Sequence, residues 1–424
     1  MLRGSSITPV KKTVILAIDA FSVQKSPRAD FGFQSDKIAA EYDLLRIFLM
    51  KIGLLGGGQL GRMFLQAAAN YPFTIKVLDP QADAPCAHLC DEFVQGDFRD
   101  EETVVAFGTD CDVIGIEIEH VSVAGLRRLQ AMGKKVLPDP EILAIIQDKG
   151  VQKQFYERHH LPTAPFYLIE RKTDIDLNRI PLPFVQKTRT GGYDGKGVQI
   201  ICRQEDLAQL WDVPSVIEAL CPIAQEIAVI VLRDEKGSTK AYPAVEMVFD
   251  PQLNLVDVVR MPAMIAPHLL KEAERLALTL ADAFAHSGIY AVEMFVTKHG
   301  AVWLNETACR VHNSGHLTIE ACYHSQFDQL WRLLAGQPLA SVAQHTPAAM
   351  INIVGAEHHC GRAKMAHLHE LLALEHVFVH WYGKTQTRAG RKMGHVTIVA
   401  KDSAAVDEKV VAVKKFVDVI AEKE

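Results

Sequence analysis

Residues 303–316, WLNETACRVHNSGH, concentrate side chains capable of chemistry. An apolar strand is expected to bring Asn305 and Glu306 to its end, and a polar loop then presents Arg310, His312, Asn313, Ser314 and His316. A second carboxylate, Glu293, lies upstream in AVEMFV, inside another short apolar run. Two carboxylates on adjacent strand-like segments can face one another, and hard oxygen ligands of that kind suit Mg²⁺ carrying substrate phosphates. The cationic and amide groups beyond them suit an anionic co-substrate. The same residues would also serve as a polar turn capping a hairpin, with Glu293 on a solvated face.

Such a site needs elements to hold it. From Lys51 the pattern runs strand (KIGLL), glycine turn (GGGQLG), helix (RMFLQAAAN) and a second strand, FTIKVLD, ending in Asp79. Gly56, Gly58 and Gly61 satisfy GxGxxG, and Asp79 stands at about the spacing of a ribose ligand in a dinucleotide fold. The physical content is narrower: glycines let backbone N–H groups and a helix N-terminus approach a phosphate or another anion. The alternation continues through EETVVAFGT as helix, CDVIGIEIE as a buried strand, VAGLRRLQAMG as helix and KVLP as strand. That predicts a doubly wound domain over 50–138. CDVIGIEIE ends in Glu117 and Glu119, at the strand ends that form the ligand crevice of this architecture. Either carboxylate could instead simply meet solvent.

Over 139–349 the spacing predicts first a helical stretch, EILAIIQDKGVQKQFYERHH, carrying Lys149. A strand and hairpin come next, PFVQK, TRTGGYDGKG and VQII, with Gly191, Gly192, Gly195 and Gly197 interleaved with Arg189, Asp194 and Lys196. The loop lacks the GK[ST] of a Walker loop and no helix follows it, so a mobile hairpin lid over a triphosphate fits better than a P-loop. A flexible surface hairpin is the alternative. Lys187 could reach a phosphate as a point charge. In VIEALCPIAQEIAVIVL, Glu218, Cys221, Gln225 and Glu226 interrupt an apolar run that suits strand, turn, strand. An apolar slot there would take a base, and a carboxylate its ribose hydroxyls. A helix, KEAERLALTLADAFAHSG, leads back to the opening stretch. Residues 350–424 are strand-rich, and in WYGKTQTRAGRKMGH the groups Lys384, Arg388, Arg391, Lys392 and His395 gather around Gly390 and Gly394. A compact basic turn suggests a monophosphate or carboxylate clamp, against the alternative of a solvated charge run.

Composition bounds the rest. A chain of 424 residues predicts two or three domains with ample core. Hydrophobic content of 49% with 23% charged residues is ordinary for a soluble globular protein. A net charge of -6 offers no overall attraction to nucleic acid or an anionic membrane, so any anion site must be local. The eight cysteines are scattered without a CxxC pair and read as small core residues of a reducing, cytoplasmic setting. His358, His359, Cys360, His367 and His369 match no zinc spacing and read as a His-rich connection. No apolar run approaches a membrane span. Residues 1–49 do not resemble the remainder of the chain and read as a weakly ordered upstream extension.

From Met50 onward the chain resembles the ATP-grasp family, and within it the ligases that carboxylate an aminoimidazole ribonucleotide in purine biosynthesis. The resemblance rests on GGGQLGRM, the EIE strand end, QKQF, KTRTGGYDGKG, LNE, RVHNSGH, SQF and GRKMGH. It implies an α/β (α+β) fold: a Rossmann-like first domain, an ATP-grasp domain and a small β-rich C-terminal domain. It implies ATP phosphates against Lys149, Lys187 and the lid residues Gly192, Tyr193, Asp194, Gly195, Lys196, Gly197 and Val198. Adenine and ribose would meet Glu218, Ala219, Leu220, Cys221 and Glu226, and Mg²⁺ would meet Glu293 and Glu306 with Asn305 alongside. The ribonucleotide would lie against Gln59, Glu117, Tyr193, Asp194, Arg310, His312 and Asn313, its phosphate among Lys384, Arg391 and Lys392. Asp194, Arg310, His312 and Lys392 would carry the chemistry, with bicarbonate as co-substrate and a homodimer as the assembly. The chain departs from the family pattern at Ala308 and Cys309, where Ala-Pro is usual, and at Val198 and Phe249. Two competing expectations remain: another ATP-grasp ligase, or a nicotinamide-dependent oxidoreductase or non-catalytic nucleotide sensor using GxGxxG and Asp79.

Overall fold

The apolar run KIGLL forms the strand Lys51–Leu55, with Ile52, Leu54 and Leu55 fully buried, as a strand covered on both faces requires. In the computed structural model it is the middle of a five-stranded parallel sheet. The order across that sheet is Glu92–Gln95, Thr74–Asp79, Lys51–Leu55, Val113–Ile116, Lys135–Leu137. The helices Gln59–Ala68, Glu101–Gly108 and Val123–Ala131 supply the crossovers. The edge strand Glu92–Gln95 was not expected from EFVQ, whose four residues are too few to show a period.

The structure describes residues 50–192, 197–250 and 255–422. The chain divides into two units, Met1–Phe48 and Leu49–Glu424. The expected extension over 1–49 lies outside the described residues, as do Tyr193, Asp194, Gly195 and Lys196. No helix among the described residues is long and apolar enough to cross a membrane.

Beyond the parallel sheet, the described residues form a three-stranded antiparallel sheet of Gln386–Thr387, Gly361–Met365 and Val419–Ala421, and two larger antiparallel ones. The smaller of these two joins Phe166–Ile169, Ser215–Ala219, Phe184–Thr188 and Val198–Ile201, in that order. The larger has nine strands; its main path runs Val302–Ala308, Gly288–Thr297, Ile223–Arg233, Val245–Asp250, Leu255–Met261, Ala348–Val354, Lys392–Val399, Val377–Trp381. The strand-rich C-terminal segment therefore continues the central sheet through Ala348–Val354, which pairs with Leu255–Met261. Helix Pro267–Phe284 lies on this sheet with Leu269, Ala273, Leu276, Ala277, Leu280 and Phe284 buried, the spacing of one helical face.

The expected single helical stretch around Lys149 is instead two helices, Pro140–Gln147 and Lys149–Arg158. Asp148 breaks them: its backbone is extended, and its side chain caps the second helix by accepting from the N–H groups of Gly150 and Val151. The second helix is fastened to the strand Val302–Ala308 by a buried polar network. Tyr156 Oη donates to Gln152 Oε1 (2.8 Å) and lies 2.6 Å from Thr307 Oγ1. Gln152 in turn exchanges two hydrogen bonds with the Thr307 backbone, at 3.0 and 3.1 Å. Removing one member leaves buried partners unsatisfied, at about 1–3 kcal/mol each. Tyr156→Phe is accordingly expected to lower the denaturant midpoint by the equivalent of ~1–2 kcal/mol with an unchanged slope, measured by chemical unfolding; an unchanged midpoint would show the network to be energetically idle.

Candidate active site

Glu293 and Glu306 stand directly opposite one another on the antiparallel strands Gly288–Thr297 and Val302–Ala308. Side chains of successive strand residues normally alternate between faces, so Asn305 and Glu306 should point apart. The register explains why they do not: Glu293 pairs with Glu306 but Met294 pairs with Leu304, so Asn305 is the extra residue of a β-bulge. The expected position at the end of a strand is thus corrected. Both residues lie within the strand, and the bulge turns them into the same cleft. Ala228 also pairs with Glu293, which puts Glu226, two residues earlier on the third strand, on the same face. Burial pushes Glu226 up to about 7. Burial and the adjacent Glu306 likewise push Glu293 up, whereas Glu306 is carried down against its own burial by Lys149.

Cations arrive from the opposite wall. Lys149 Nζ donates to Glu306 Oε2. Lys187, on the small sheet, donates to Asn305 Oδ1 at 2.8 Å and pairs with Glu218 Oε2 at 2.9 Å. Lys153 pairs with the other oxygen of Glu218 at 3.0 Å. The Glu218 carboxylate, expected as a possible ribose ligand, is 2% exposed and pairs with one lysine at each oxygen, whereas Glu226 is half-buried on the face of Glu293. Ala219 ends the strand Ser215–Ala219 of the small sheet, and Leu220 and Cys221 lie in the connection to Ile223–Arg233 of the large one. Gly197 has φ +75 and its carbonyl accepts from Thr188 N at 2.9 Å, closing the base of the glycine hairpin where Val198 pairs with Lys187. Gly192 is half-buried beside it.

The loop after the bulged strand returns over the carboxylates. His312 Nε2 lies 3.3 Å from Glu293 Oε1, and its Nδ1 is 2.9 Å from Ser314 Oγ. Arg310 Nε pairs with Glu119 Oε1 of the first domain at 3.3 Å. Asn313 exchanges hydrogen bonds with Asn352 at 2.9 and 3.0 Å, tying the loop to the C-terminal strand Ala348–Val354. Gly315 has no room for a side chain, since a Cβ there would come within 2.2 Å of Ile230 Cδ1.

In the C-terminal segment Lys384 Nζ donates to the Lys392 carbonyl (2.7 Å) and Arg391 Nη1 to the Gln386 carbonyl (2.7 Å). The charge of Lys392 opposes the rise that burial and Glu306 impose on Glu293. His395 does not belong to that turn. It is fully buried, stacked on His380 at 4.3 Å with its Nδ1 3.0 Å from Tyr382 Oη, because the strand Lys392–Val399 is covered on both faces from Met393 to Ile398.

The glycine turn carries the main correction to the dinucleotide expectation. Glu117 fills the anion position itself, accepting from Gly58 N at 2.8 Å and Gly61 N at 2.9 Å. Asp79 turns inward to accept from Gly57 N at 2.8 Å and Gln81 N at 2.8 Å, and is 8% exposed. A Cβ on Gly58 would sit 2.6 Å from Glu117 Oε1. The glycines therefore make room for a protein carboxylate, and the ribose-ligand role of Asp79 is excluded by its position. Gln59, the first residue of the following helix, stands half-buried next to Glu117.

Sequence reasoning did not single out Lys153 or Asn352. Lys153 follows Lys149 by four residues on one helix, a spacing that places both on one face and could have flagged it. Asn352 carries no such signal, being one polar residue in an apolar strand.

Comparison with known proteins agrees with this architecture. An ATP-grasp domain model matches residues 154–327, a ribonucleotide synthetase preATP-grasp domain model residues 49–147, and a phosphoribosylaminoimidazole carboxylase C-terminal domain model residues 348–409. The chain is 34% identical over 370 residues to the chloroplastic phosphoribosylaminoimidazole carboxylase of Vigna aconitifolia, covering 85% of this chain and 66% of that one. It thus spans just under two thirds of that longer relative. To the N5-carboxyaminoimidazole ribonucleotide synthase of Synechococcus elongatus it is 34% identical over 364 residues, 84% of this chain and 91% of the relative. Among solved structures, the N5-carboxyaminoimidazole ribonucleotide synthetase of Thermotoga maritima superposes with a TM-score of 0.82 at 39% identity, covering 88% of this chain and 100% of that one. The Aspergillus clavatus N5-carboxyaminoimidazole synthase in complex with ADP and 5-aminoimidazole ribonucleotide gives 0.79 at 30% identity, covering 87% and 98%. The chain belongs to the ATP-grasp family, in the branch of the N5-carboxyaminoimidazole ribonucleotide synthases.

Proposed function

We propose that the chain catalyses the ATP-dependent carboxylation of 5-aminoimidazole ribonucleotide by bicarbonate, giving N5-carboxyaminoimidazole ribonucleotide, ADP and phosphate. The observation that carries this is one cleft in which the bulge aligns Asn305 and Glu306 with Glu293, Lys149 and Lys187, while His312 reaches Glu293 from the loop holding Arg310 and Asn313. A nucleotide site and an anionic acceptor site thereby share a wall.

The donor set fits Mg²⁺: two opposed carboxylates of hard oxygen, one of them pushed up by burial and by its neighbour, are relieved by a divalent cation. Glu293 and Glu306 would hold it, with Asn305 alongside, and when bound it supplies charge neutralisation at phosphoryl oxygens. Lys149 and Lys187 orient and neutralise the ATP phosphates from the other wall, and Glu226 takes the ribose hydroxyls. Bicarbonate is a poor electrophile, so its oxygen attacks the γ-phosphorus, the bond to ADP breaks, and carboxyphosphate forms. Arg310 stabilises the charge on the transferring group. The glycine hairpin excludes water from that unstable species. The exocyclic amine then attacks the carboxy carbon, phosphate departs, and His312, oriented by Glu293 and Ser314, takes the amine proton. Asp194 is the other candidate acceptor and lies outside the described residues. Gln59, Glu117 and Asn313 line the ribonucleotide, with Lys384, Arg391 and Lys392 about its phosphate. A homodimer is the proposed assembly, supported by family resemblance alone.

The direct test is ADP formation with ATP, Mg²⁺ and bicarbonate, with and without aminoimidazole ribonucleotide. Strong stimulation by the ribonucleotide is expected; ADP release indifferent to it, or binding of NADH in place of ATP, would overturn the proposal. Lys392→Ala is expected to raise the KM for the ribonucleotide at least about tenfold while leaving that for ATP within about twofold, since it strips one cation from the monophosphate clamp. Equal effects on both would mean that Lys392 supports the fold rather than the substrate.

A further inference from the structure

Beneath the cleft lies a buried triad of charges that the proposed mechanism does not use as a unit. Glu218 of the strand Ser215–Ala219 sits between Lys153 Nζ (3.0 Å) and Lys187 Nζ (2.9 Å), one lysine on each carboxylate oxygen. Lys153, Glu218 and Lys187 are 3%, 2% and 8% exposed. Lys153 also donates to Thr163 Oγ1 at 2.6 Å, and Thr163 Oγ1 donates to the Leu304 carbonyl at 2.7 Å, one residue before the bulge. Lys187, two pairs along from Glu218 in the same small sheet, reaches across to Asn305 on the large one.

The charges of this triad do not cancel. One carboxylate shared by two ammonium groups leaves it net positive, whereas Glu218 facing Lys187 alone would be neutral. A buried pair at 2.9 Å interacts strongly, so an unshared Glu218 would both neutralise Lys187 and draw it away from a ligand. We infer that Lys153 is a positioning residue for the nucleotide site, which holds Glu218 to half of its bonding capacity and so keeps Lys187 electropositive toward the ATP phosphates. The inference deepens the proposed function and rests on ATP occupying this cleft. The protonation states are consistent with it. Burial lowers Lys153, but Glu218 opposes the fall and leaves it at about 8, charged at neutral pH. Burial would raise Glu218, yet the two lysines bring it down to about 2.

A second-site cycle tests this, with ATP and aminoimidazole ribonucleotide affinities read by calorimetry rather than turnover. Lys153→Met keeps the volume, and Thr163 keeps its bond to the Leu304 carbonyl, so folding is expected to survive; should it not, Lys153→Gln takes its place in the same cycle. The single variant is expected to bind ATP at least about tenfold more weakly while its affinity for the ribonucleotide stays within about twofold. Adding Glu218→Gln, which removes the carboxylate that Lys153 no longer balances, is expected to restore ATP affinity to within about threefold of wild type. A merely structural Lys153 would give a double variant no better than the single one, and that result, or a single variant binding ATP like wild type, overturns the inference. A wild-type chain that binds no ATP overturns the nucleotide site itself, and with it this role for Lys153.

Discussion

Glu293 and Glu306 are forced together by strand register, and much of the site follows from relieving that repulsion. Like charges directly across an antiparallel pair are destabilising, and these two carboxylates are only partly exposed to solvent. Lys149 is brought against Glu306 by a helix whose start is fixed by Asp148 and whose body is fastened to the same strand through Tyr156, Gln152 and Thr307. His312 approaches Glu293 from the following loop, and Lys392 acts on it from the C-terminal segment. Three separately encoded elements thus converge on one pair of carboxylates. The C-terminal strand Ala348–Val354 joins the central sheet by pairing with Leu255–Met261.

The same logic recurs at the glycine turn, with the sign reversed. A helix N-terminus and glycine N–H groups make a positive pocket, and the chain supplies its own anion from the next strand. Glu117 is held by two backbone donors even though burial pushes its carboxyl up. A motif that elsewhere receives a dinucleotide phosphate is here a joint within the protein. It holds Glu117 and Gln59 at the rim of the first domain, while Glu119, two residues on, crosses to Arg310 of the reactive loop.

Element types were largely legible in the sequence wherever the period was long. KIGLL, TIKVLD and the helix around residues 267–284 lie where alternation or a continuous apolar run placed them, and the LNE strand runs two residues past its expected end. What the sequence concealed depends on pairing. Nothing in WLNET marks Asn305 as a bulged residue, because the bulge exists only relative to the register of the partner strand. Asp148 looks like one more polar residue of a long helix until its side chain is seen capping the second half. Glu218 and Glu226 are indistinguishable as strand carboxylates; only the positions of Lys153 and Lys187 show that one is already occupied. His395 sits among cations in GRKMGH, yet its strand is covered on both faces from Met393 to Ile398, and it lies in the core.

The opposed carboxylates are the proposed seat of a divalent cation that would couple to the nucleotide. The most direct measurement is the affinity for ADP with and without Mg²⁺, in wild type and in Glu293→Gln/Glu306→Gln. Wild type is expected to gain at least about tenfold in ADP affinity from Mg²⁺, and the double variant less than about twofold. A double variant that retains the full gain would contradict the claim and place the cation elsewhere.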